Sequence, residues 1–242
     1  MKHIDVVIIS WAKNEELIQV TKDGLDSLFE NDKGITYHVY IVESNKDIKY
    51  EDMEEYQRKW LHTIETVYTD ETFGYNKYLN IGRRLGKSPY VALCNSDLTY
   101  EKDWATNIIE QMEIHNALSA SPWCPQTQGT NENHKHNVYV GNRVRTELAG
   151  WCIVQKREIY KIIEDLNEGV SFWYSDNIYA DELGMRGIRH ILVPTSVVNH
   201  HEFNLGKTGS SLSQEDQQKI TSLEHRNYVK SLETLKQNLH IN

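Results

Sequence analysis

One acidic residue of this 242-residue chain stands at a position suited to metal chemistry. The triplet Asn95-Ser96-Asp97 comes directly after the uncharged run 90–94, so Asp97 is expected where the chain leaves a buried strand. A carboxylate at such a point can hold Mg²⁺ or Mn²⁺, and the ion can bridge phosphate oxygens of a bound nucleotide. The alternative is an ordinary turn, because Asn, Ser and Asp all favour turns.

Two further strand ends offer groups that could contact a nucleotide. Ser10, Trp11 and Lys13 follow the first apolar run of the chain, and Glu43 ends the second. Ligands of open α/β sheets bind outside the carboxyl ends of the strands, where an acid can accept hydrogen bonds from a base or from ribose hydroxyls. For Glu43 alone, an exposed strand-end acid is the alternative.

A second carboxylate is placed for proton transfer. Asp176 starts a predicted helix directly after the aromatic residues 172–174, where it could act as a general base at the wall of a cleft. The alternative is an N-cap residue or a first-turn acid that interacts favourably with the helix dipole. Asp181 and Glu182, on the same helix, are second-choice candidates for the base.

Histidines and a Gly/Ser-rich segment follow the last apolar run. His200 or His201 could complete a metal site or bind a phosphate. Lys207, within the segment 206–211, could contact a pyrophosphate. The segment lacks the spacing of a P-loop, so a flexible linker explains it equally well.

The composition indicates a folded, acidic protein. The chain has 26 Lys and Arg against 35 Asp and Glu, a formal charge of -9, which disfavours nucleic acid and anionic membrane unless basic groups gather on one face. Cys94, Cys124 and Cys152 form no CxxC pair, which argues for free thiols and against a zinc site. Without a signal peptide or an apolar run of membrane-spanning length, the expected location is cytoplasmic.

Apolar runs and helical periodicities alternate along the chain. Strands are predicted over residues 4–9, 37–42, 63–68, 90–94, 117–120, 151–154 and 188–193. Helices are predicted over 15–28, 51–61, 75–85, 103–116, 159–166, 175–184 and the C-terminal residues. Residues 121–137 and 200–213 are expected to be loops. This alternation predicts an α/β fold with a mostly parallel central sheet and helices on both faces. Residues 1–212 form one domain, and residues 213–242 form a helix that packs on it or extends it.

The order of the motifs resembles that of the GT-A glycosyltransferases, in particular the family 2 enzymes, which invert the anomeric centre and use nucleotide-diphosphate sugars. The segments that carry the resemblance are VVIISWAKNEE, IVESN, FGYNKYLNIGRRLGKSPYVALCNSDL, AGWCIVQKREIY, SFWYSDNIYADELGMRG and VVNHH. The resemblance extends over residues 4 to about 201, nearly the whole expected catalytic core. The resemblance implies a single Rossmann-like GT-A domain.

The resemblance also implies roles for individual residues. Asn95-Ser96-Asp97 stands in the place of the metal-binding Asp-x-Asp motif, with Asp97 as the direct ligand and Asn95 replacing the first acid. Asp176 stands in the place of the catalytic base, and Ser175 replaces a Glu that many relatives carry. The histidines of VVNHH correspond to a histidine near the metal.

The implied mechanism is metal-assisted transfer with inversion. The nucleotide lies over the first strands, in contact with residues 10–13 and Glu43, and a Mn²⁺ or Mg²⁺ ion at Asp97 neutralises the diphosphate leaving group. Asp176 removes the proton from the attacking acceptor hydroxyl. The loops 121–137 and 200–213 are candidates for closing over the donor.

The sequence leaves the donor and the acceptor open. The position of Glu43 favours a UDP- or dTDP-sugar as the donor. The acceptor is a saccharide, a protein side chain or a hydroxymethylated base of phage DNA, and the last would make this a bacteriophage enzyme for DNA modification. A local basic run supports the DNA acceptor, although a solvated loop is the alternative. The run consists of His134, Lys135, His136, Arg143 and Arg145.

Two other function classes compete with this prediction. A sugar-phosphate nucleotidyltransferase is disfavoured because no glycine-rich phosphate loop follows the first strand. A non-catalytic nucleotide- or nucleic-acid-binding protein with a degenerate transferase site is supported by Asn95, which weakens the metal motif. Turnover of a nucleotide-sugar donor would separate this class from an enzyme.

Overall fold

The computed structural model describes residues 2–47, 63–128, 137–201 and 214–241. Its strands are β1 (Lys2–Ser10), β2 (Ile35–Glu43), β3 (Thr63–Tyr68), β4 (Tyr90–Asn95), β5 (Leu98–Tyr100), β6 (Ser119–Trp123), β7 (Tyr139–Val140), β8 (Cys152–Lys156) and β9 (His190–His200). Its α-helices are α1 (Glu15–Asn31), α2 (Tyr75–Leu85), α3 (Trp104–Ile114), α4 (Pro125–Gln128), α5 (Ser175–Met185) and α6 (Gln214–Asn238). The predicted helix 51–61, the basic residues 134–136 and Lys207 lie outside the described residues.

The described strands form one nine-stranded sheet in the order β3-β2-β1-β4-β8-β6-β9-β5, with β7 paired to β9. β1 runs parallel to β2 and β4, β2 runs parallel to β3, and β6 runs parallel to β9. β8 is antiparallel to both of its neighbours, and β5 and β7 are antiparallel to β9. The α/β class is confirmed, and the sheet is more mixed than the alternation predicts.

Helices cover both faces of the sheet because the central strands are apolar on both sides. Along β1, Val6 faces one core and Val7 faces the other. Helices α1 and α3 contribute to the first core, where Trp104 is fully buried. Helices α2 and α5 contribute to the second, with Leu79 and Leu183. A continuously apolar strand such as β1 therefore predicts its central place in the sheet.

The long loop expected over residues 121–137 begins later than predicted. Ser121, Pro122 and Trp123 belong to β6 and are buried, and Pro125 begins the short helix α4. Pro122 is tolerated in this strand because the register of β6 against β9 shifts between Pro122 and Trp123, and proline in sheets is confined to edges and irregular positions.

The helix predicted from Ile159 to Leu166 is a 3-10 helix over Arg157–Lys161. The Asn80 side chain holds the backbone of Leu166 instead: its amide donates to the Leu166 carbonyl at 2.9 Å, and its oxygen accepts from the Leu166 N–H at 2.9 Å. Of the predicted apolar face, Ile159, Ile163 and Leu166 are nevertheless buried, whereas Ile162 is exposed. The pattern therefore predicts the burial of three of these four residues and the wrong helix type.

The C-terminal helix α6 packs against α5. Leu235 is buried together with Ile178 and Val170, and Tyr228 stacks on Tyr174 with ring centroids 5.2 Å apart. Within the described ranges, none of the helices has the length and apolar character that crossing a bilayer requires.

Candidate active site

The ends of β1, β2 and β4 lie side by side, which brings the three predicted strand-end segments together. Ser10 is paired with Glu43, and Ile9 is paired with Asn95. Parallel strands share their carboxyl edge, so their terminal polar residues necessarily meet there. The predicted nucleotide-contacting residues therefore line one edge of the sheet.

Glu43 is fully buried and organises the loops at this edge. One carboxylate oxygen accepts a hydrogen bond from the Asn45 N–H at 2.7 Å, and the other lies 3.4 Å from the Ala12 nitrogen. The Asn45 amide in turn donates to the Ala12 carbonyl at 2.8 Å. The strand-end acid is therefore not the exposed side chain of the alternative interpretation.

Trp11 and Lys13 lie at the outer side of the same edge. The Trp11 side chain is 50% exposed, and the Lys13 ammonium lies 3.8 Å from its ring centroid. A half-exposed indole with a cation over one face offers both stacking and positive charge at the mouth of the site.

Asp97 and His200 form the centre of the candidate metal site. β5 and β9 pair Leu98 with His200, which brings the Asp97 carboxylate to 3.3 Å from Nε2 of His200. The indole of Trp151 stacks on the His200 ring, with centroids 5.6 Å apart and planes inclined by 19°. His200 is buried and Asp97 is partly exposed, so the pair opens toward solvent on the Asp97 side.

His201 is directed away from this pair. Its ring Nε2 lies 2.8 Å from the hydroxyl of Thr99, and only its backbone N–H reaches Asp97, at the carbonyl oxygen, 3.0 Å away. Successive side chains of an extended segment point to opposite faces. The structure therefore brings one of the two predicted histidines to Asp97.

Asn95 contacts His200 rather than extending the carboxylate cluster. Its amide nitrogen lies 3.3 Å from His200 Nε2, and its amide oxygen lies 2.8 Å from the hydroxyl of Tyr75. The same hydroxyl donates to the carbonyl oxygen of Gly150 at 2.7 Å. Tyr75 therefore connects the Asp97 side of the site to the segment that contains Gly150.

Asp176 lies on the other side of this connection. A Cβ atom added to Gly150 would lie 2.8 Å from Cβ of Asp176 and 3.0 Å from one of its carboxylate oxygens. Only a glycine therefore permits this approach. The N–H of Asn177 donates to the Asp176 carboxylate at 2.9 Å. The candidate base is thus held in the first turn of α5 against the Gly150 backbone.

Burial raises the pKa of Asp176, an effect partly opposed by backbone N–H groups and by the charge of Arg145. A raised pKa makes the carboxylate a stronger base, as general-base catalysis near neutral pH requires. Burial also raises the pKa of the Tyr75 phenol, and electrostatic interactions with Asp176, Cys94 and Asp97 raise it further. Its hydroxyl therefore stays protonated and can donate.

The two second-choice acids are engaged elsewhere. Asp181 accepts a hydrogen bond from the Tyr228 hydroxyl at 2.5 Å, and Glu182 forms an ion pair with Arg186 at 2.8 Å. Both contacts stabilise the surroundings of α5. Of the three acids on this helix, only Asp176 contacts Gly150.

Three residues of the site were not singled out from the sequence. In the sequence, Tyr75 belongs only to a helical apolar pattern, Gly150 only to one of the segments that carry the family resemblance, and Arg145 only to a basic run. Arg145 has a backbone φ of +64°, an unusual conformation for a residue with a long side chain that is often found at functional sites. Its neighbour Arg143 is bound to Glu147.

A metal ion at this site would have few protein ligands. Across the described part of the chain, no cluster of three or more His, Cys, Asp or Glu side chains is arranged to hold a metal ion. Asp97 and His200 supply one oxygen and one nitrogen. Ions that bind nucleotides commonly take one or two protein ligands and complete their shell with phosphate oxygens and water.

Comparison with known proteins assigns the fold and the family. The chain resembles the crystal structure of GalNAc-T7 with UDP, GalNAc and Mn²⁺ (14% identity, TM-score 0.65, 81% of this chain and 42% of that chain). It also resembles S. aureus TarS, with 10% identity, a TM-score of 0.63, and coverage of 96% of this chain and 71% of that chain. A third similar structure is the mannosyltransferase PcManGT from Pyrobaculum calidifontis in complex with GDP-Man and Mn²⁺, with 17% identity, a TM-score of 0.58, and coverage of 81% of this chain and 56% of that chain. At these identities the likeness concerns the fold.

The chain thus spans about half the length of two of these three relatives. No curated protein sequence matches it significantly. The family model described as glycosyl transferase family 2 matches residues 6–174, which include the second half of β1, Asp97, Gly150 and the aromatic residues before Asp176. The chain belongs to glycosyl transferase family 2.

Proposed function

We propose that this protein transfers a sugar from a nucleoside-diphosphate donor to an acceptor hydroxyl, with inversion at the anomeric carbon. One observation carries the proposal: Tyr75 bridges Asn95, beside Asp97 and His200, to Gly150, which contacts Asp176. A phosphate-binding centre and a general base are thus held at a fixed separation by one buried side chain. Such fixed geometry is what a displacement reaction between two bound molecules needs.

Asp97 and His200 are the proposed ligands of Mn²⁺ or Mg²⁺. The Asp97 carboxylate oxygen lies 3.3 Å from Nε2 of His200, so both atoms would be close enough to hold one ion. The carboxylate, together with phosphate oxygens of a bound donor, suits Mn²⁺ and Mg²⁺. When bound, the ion would neutralise negative charge on the diphosphate leaving group. The Mn²⁺ in two of the compared structures supports this proposal.

The proposed donor is a UDP- or dTDP-sugar, bound over the ends of β1, β2 and β4. The residues proposed to line this edge are Ser10, Trp11, Lys13, Asn95 and Ser96. Glu43 is fully buried at this edge and accepts from the backbone N–H groups of Ala12 and Asn45, so it is proposed to hold the two loops that contact the base and the ribose. Lys207 is a further proposed phosphate contact. UDP in the GalNAc-T7 structure supports uracil as the base of the donor nucleotide.

Asp176 is the proposed general base. Its carboxylate takes the proton of the acceptor hydroxyl as that oxygen attacks the anomeric carbon from the face opposite the diphosphate. The new carbon–oxygen bond forms while the bond to the phosphate oxygen breaks, and the electron pair leaves with the nucleoside diphosphate. Transfer in one displacement inverts the anomeric centre.

For the acceptor we favour a saccharide over a hydroxymethylated base of phage DNA. The described residues of the basic run offer little to a phosphate backbone, because Arg143 is neutralised by Glu147. The other described residue of the run is Arg145, whose charge lowers the pKa of Asp176. The formal charge of -9 also disfavours a polyanionic acceptor.

A thermal-shift titration with UDP, dTDP, GDP and CMP, with and without Mn²⁺, tests the donor site. We expect selective stabilisation by UDP or dTDP that requires Mn²⁺ and is lost in Asp97→Ala, since only ligands that bind the native state raise the melting temperature. Asp23→Ala, which removes an exposed acid from α1, is the matched control and should respond like wild type. If no nucleotide stabilises the protein, a degenerate, non-catalytic site explains the family fold better.

A further inference from the structure

An exposed aromatic patch lies beside the candidate active site. Phe73, Phe172 and Trp173 are 37%, 39% and 39% exposed. The rings of Phe172 and Trp173 have centroids 5.0 Å apart, and those of Phe73 and Phe172 are 6.4 Å apart. Three large aromatic side chains in one exposed cluster are unusual for a surface without a ligand.

The patch is continuous with the base side of the site. The ring of Phe172 makes an edge contact with Tyr75, at a centroid distance of 5.9 Å, and the Tyr75 hydroxyl bonds to Gly150 beside Asp176. Trp173 precedes Asp176 by three residues. The patch is therefore connected to Asp176 through Tyr75 and Gly150 and lies close to it along the chain.

Buried hydrogen bonds hold the patch in place. Glu224 of α6 is buried and accepts from the N–H groups of Ser171 and Phe172 at 2.7 and 3.1 Å. The Tyr75 N–H donates to the Ser171 carbonyl at 2.6 Å, and the Ser175 hydroxyl donates to the Phe172 carbonyl at 2.8 Å. A patch fixed before binding loses little conformational entropy when a ligand arrives.

We propose that Phe73, Phe172 and Trp173 are the acceptor platform, which stacks against the apolar C–H face of a neutral pyranoside. The inference rests on the proposed function and names the class of its acceptor. A pyranose ring combines hydroxyl edges with an apolar C–H face, and weak C–H contacts to an aromatic face favour such stacking. The patch itself contains no charged group, which suits a neutral ring.

The surroundings of the patch favour a saccharide over a nucleic acid base. Bases also stack on aromatic side chains, but nucleic-acid sites combine the stacking platform with a positively charged groove. Next to Phe73, the exposed carboxylate of Glu71 pairs with Lys77 at 3.4 Å. At this side of the patch a carboxylate thus balances the positive charge of Lys77, whereas a phosphate backbone requires an excess of positive charge.

The test is saturation-transfer NMR with cellotetraose, chitotetraose, maltotetraose and a single-stranded oligonucleotide containing hydroxymethylcytosine. We expect at least one oligosaccharide to receive saturation at its ring C–H protons. The signal should fall at least fivefold in Phe172→Ala and in Trp173→Ala. Ile114→Ala, which truncates an exposed apolar side chain at the end of α3, is the matched control and should keep the wild-type signal.

Two results would overturn the platform. In the first, no oligosaccharide gives a saturation signal that depends on Phe172 or Trp173. In the second, only the oligonucleotide gives such a signal. Nucleotide binding to the same variants separates this inference from the proposed function. If UDP or dTDP still stabilises wild type and Trp173→Ala while saccharide binding fails, only the platform is wrong. If no nucleotide binds wild type, the proposed function fails first.

Discussion

The hydroxyl of Tyr75 lies 2.7 Å from the carbonyl oxygen of Gly150, although the two residues are 75 positions apart in the chain. Tyr75 begins α2 and Gly150 immediately precedes Trp151, whose ring stacks on His200. Asp176 rests on the other side of Gly150. This single contact fixes the position of the proposed base relative to the proposed phosphate site.

Tyr75→Phe should lower kcat roughly 10- to 100-fold while nucleotide binding stays within twofold of wild type. The ring and its packing remain, but the Gly150 carbonyl loses its donor, and small displacements of reacting groups can cost about 100-fold in rate. Tyr78→Phe on the same helix is the control, because the Tyr78 hydroxyl donates to the Glu71 carbonyl at 2.8 Å and not to Gly150. Steady-state kinetics with the donor selected by the thermal-shift titration measures both, and equal kcat values for the two variants would exclude a positioning role.

Gly150→Ala should remove most transfer activity, with a loss of about 1–3 kcal/mol in the free energy of unfolding. The added methyl group would lie 2.8 Å from Cβ of Asp176 and must push the base away. Gly34→Ala, whose methyl group would meet the Thr106 hydroxyl at 3.2 Å, is a control with a milder clash far from the site. Full activity in Gly150→Ala would mean that Asp176 need not hold its position.

The acidic limb of the pH–rate profile should move when Arg145 is replaced. Burial raises the pKa of Asp176 and the charge of Arg145 lowers it, so Arg145→Gln should raise that pKa further. A base acts only when deprotonated, so activity is gained as pH rises through the pKa. The limb should therefore shift to higher pH in Arg145→Gln and return toward wild type in Arg145→Lys. A shift to lower pH in the Gln variant would contradict the assignment of the base.

His190 should make the protein less stable in acid. Its ring is buried between the Ser119 hydroxyl and the Glu147 carbonyl, and burial lowers its pKa to about 4. Between pH 6.5 and pH 4 the unfolded chain binds a proton that the folded chain excludes, so stability rises with pH there. At the acid end of this range, the resulting loss in the free energy of unfolding approaches about 3 kcal/mol.

Urea unfolding at a series of pH values between 4.5 and 7.5 checks the His190 prediction. Wild type should lose stability as the pH falls, and His190→Gln should lose less over the same range because it has no group to protonate. His3→Gln, which removes an exposed histidine at the start of β1, should keep the wild-type slope. Parallel curves for all three proteins would show that His190 is not excluded from protonation.

The acidic residues at the ends of strands and the start of a helix can be predicted from the sequence, but the contacts that join them cannot. Asp97, Glu43 and Asp176 follow apolar or aromatic runs, and an acid after a buried strand or at a helix start is a local signal. Tyr75 and Gly150 carry no such signal, because their contact depends on where α2 and the loop before β8 meet. Periodicity also cannot tell that β8 is antiparallel to β4, since a buried strand of either direction is apolar.

Transfer activity in Asp176→Asn tests the central claim most directly. Release of the nucleoside diphosphate in the presence of an acceptor saccharide is compared with that of wild type and of Asp181→Asn, a matched change on the same helix whose residue bonds to Tyr228. We predict a loss of at least about 100-fold in Asp176→Asn, since a general base contributes 10²–10⁴-fold, with nucleotide binding retained and Asp181→Asn near wild type. Equal transfer rates for the two variants would contradict the account.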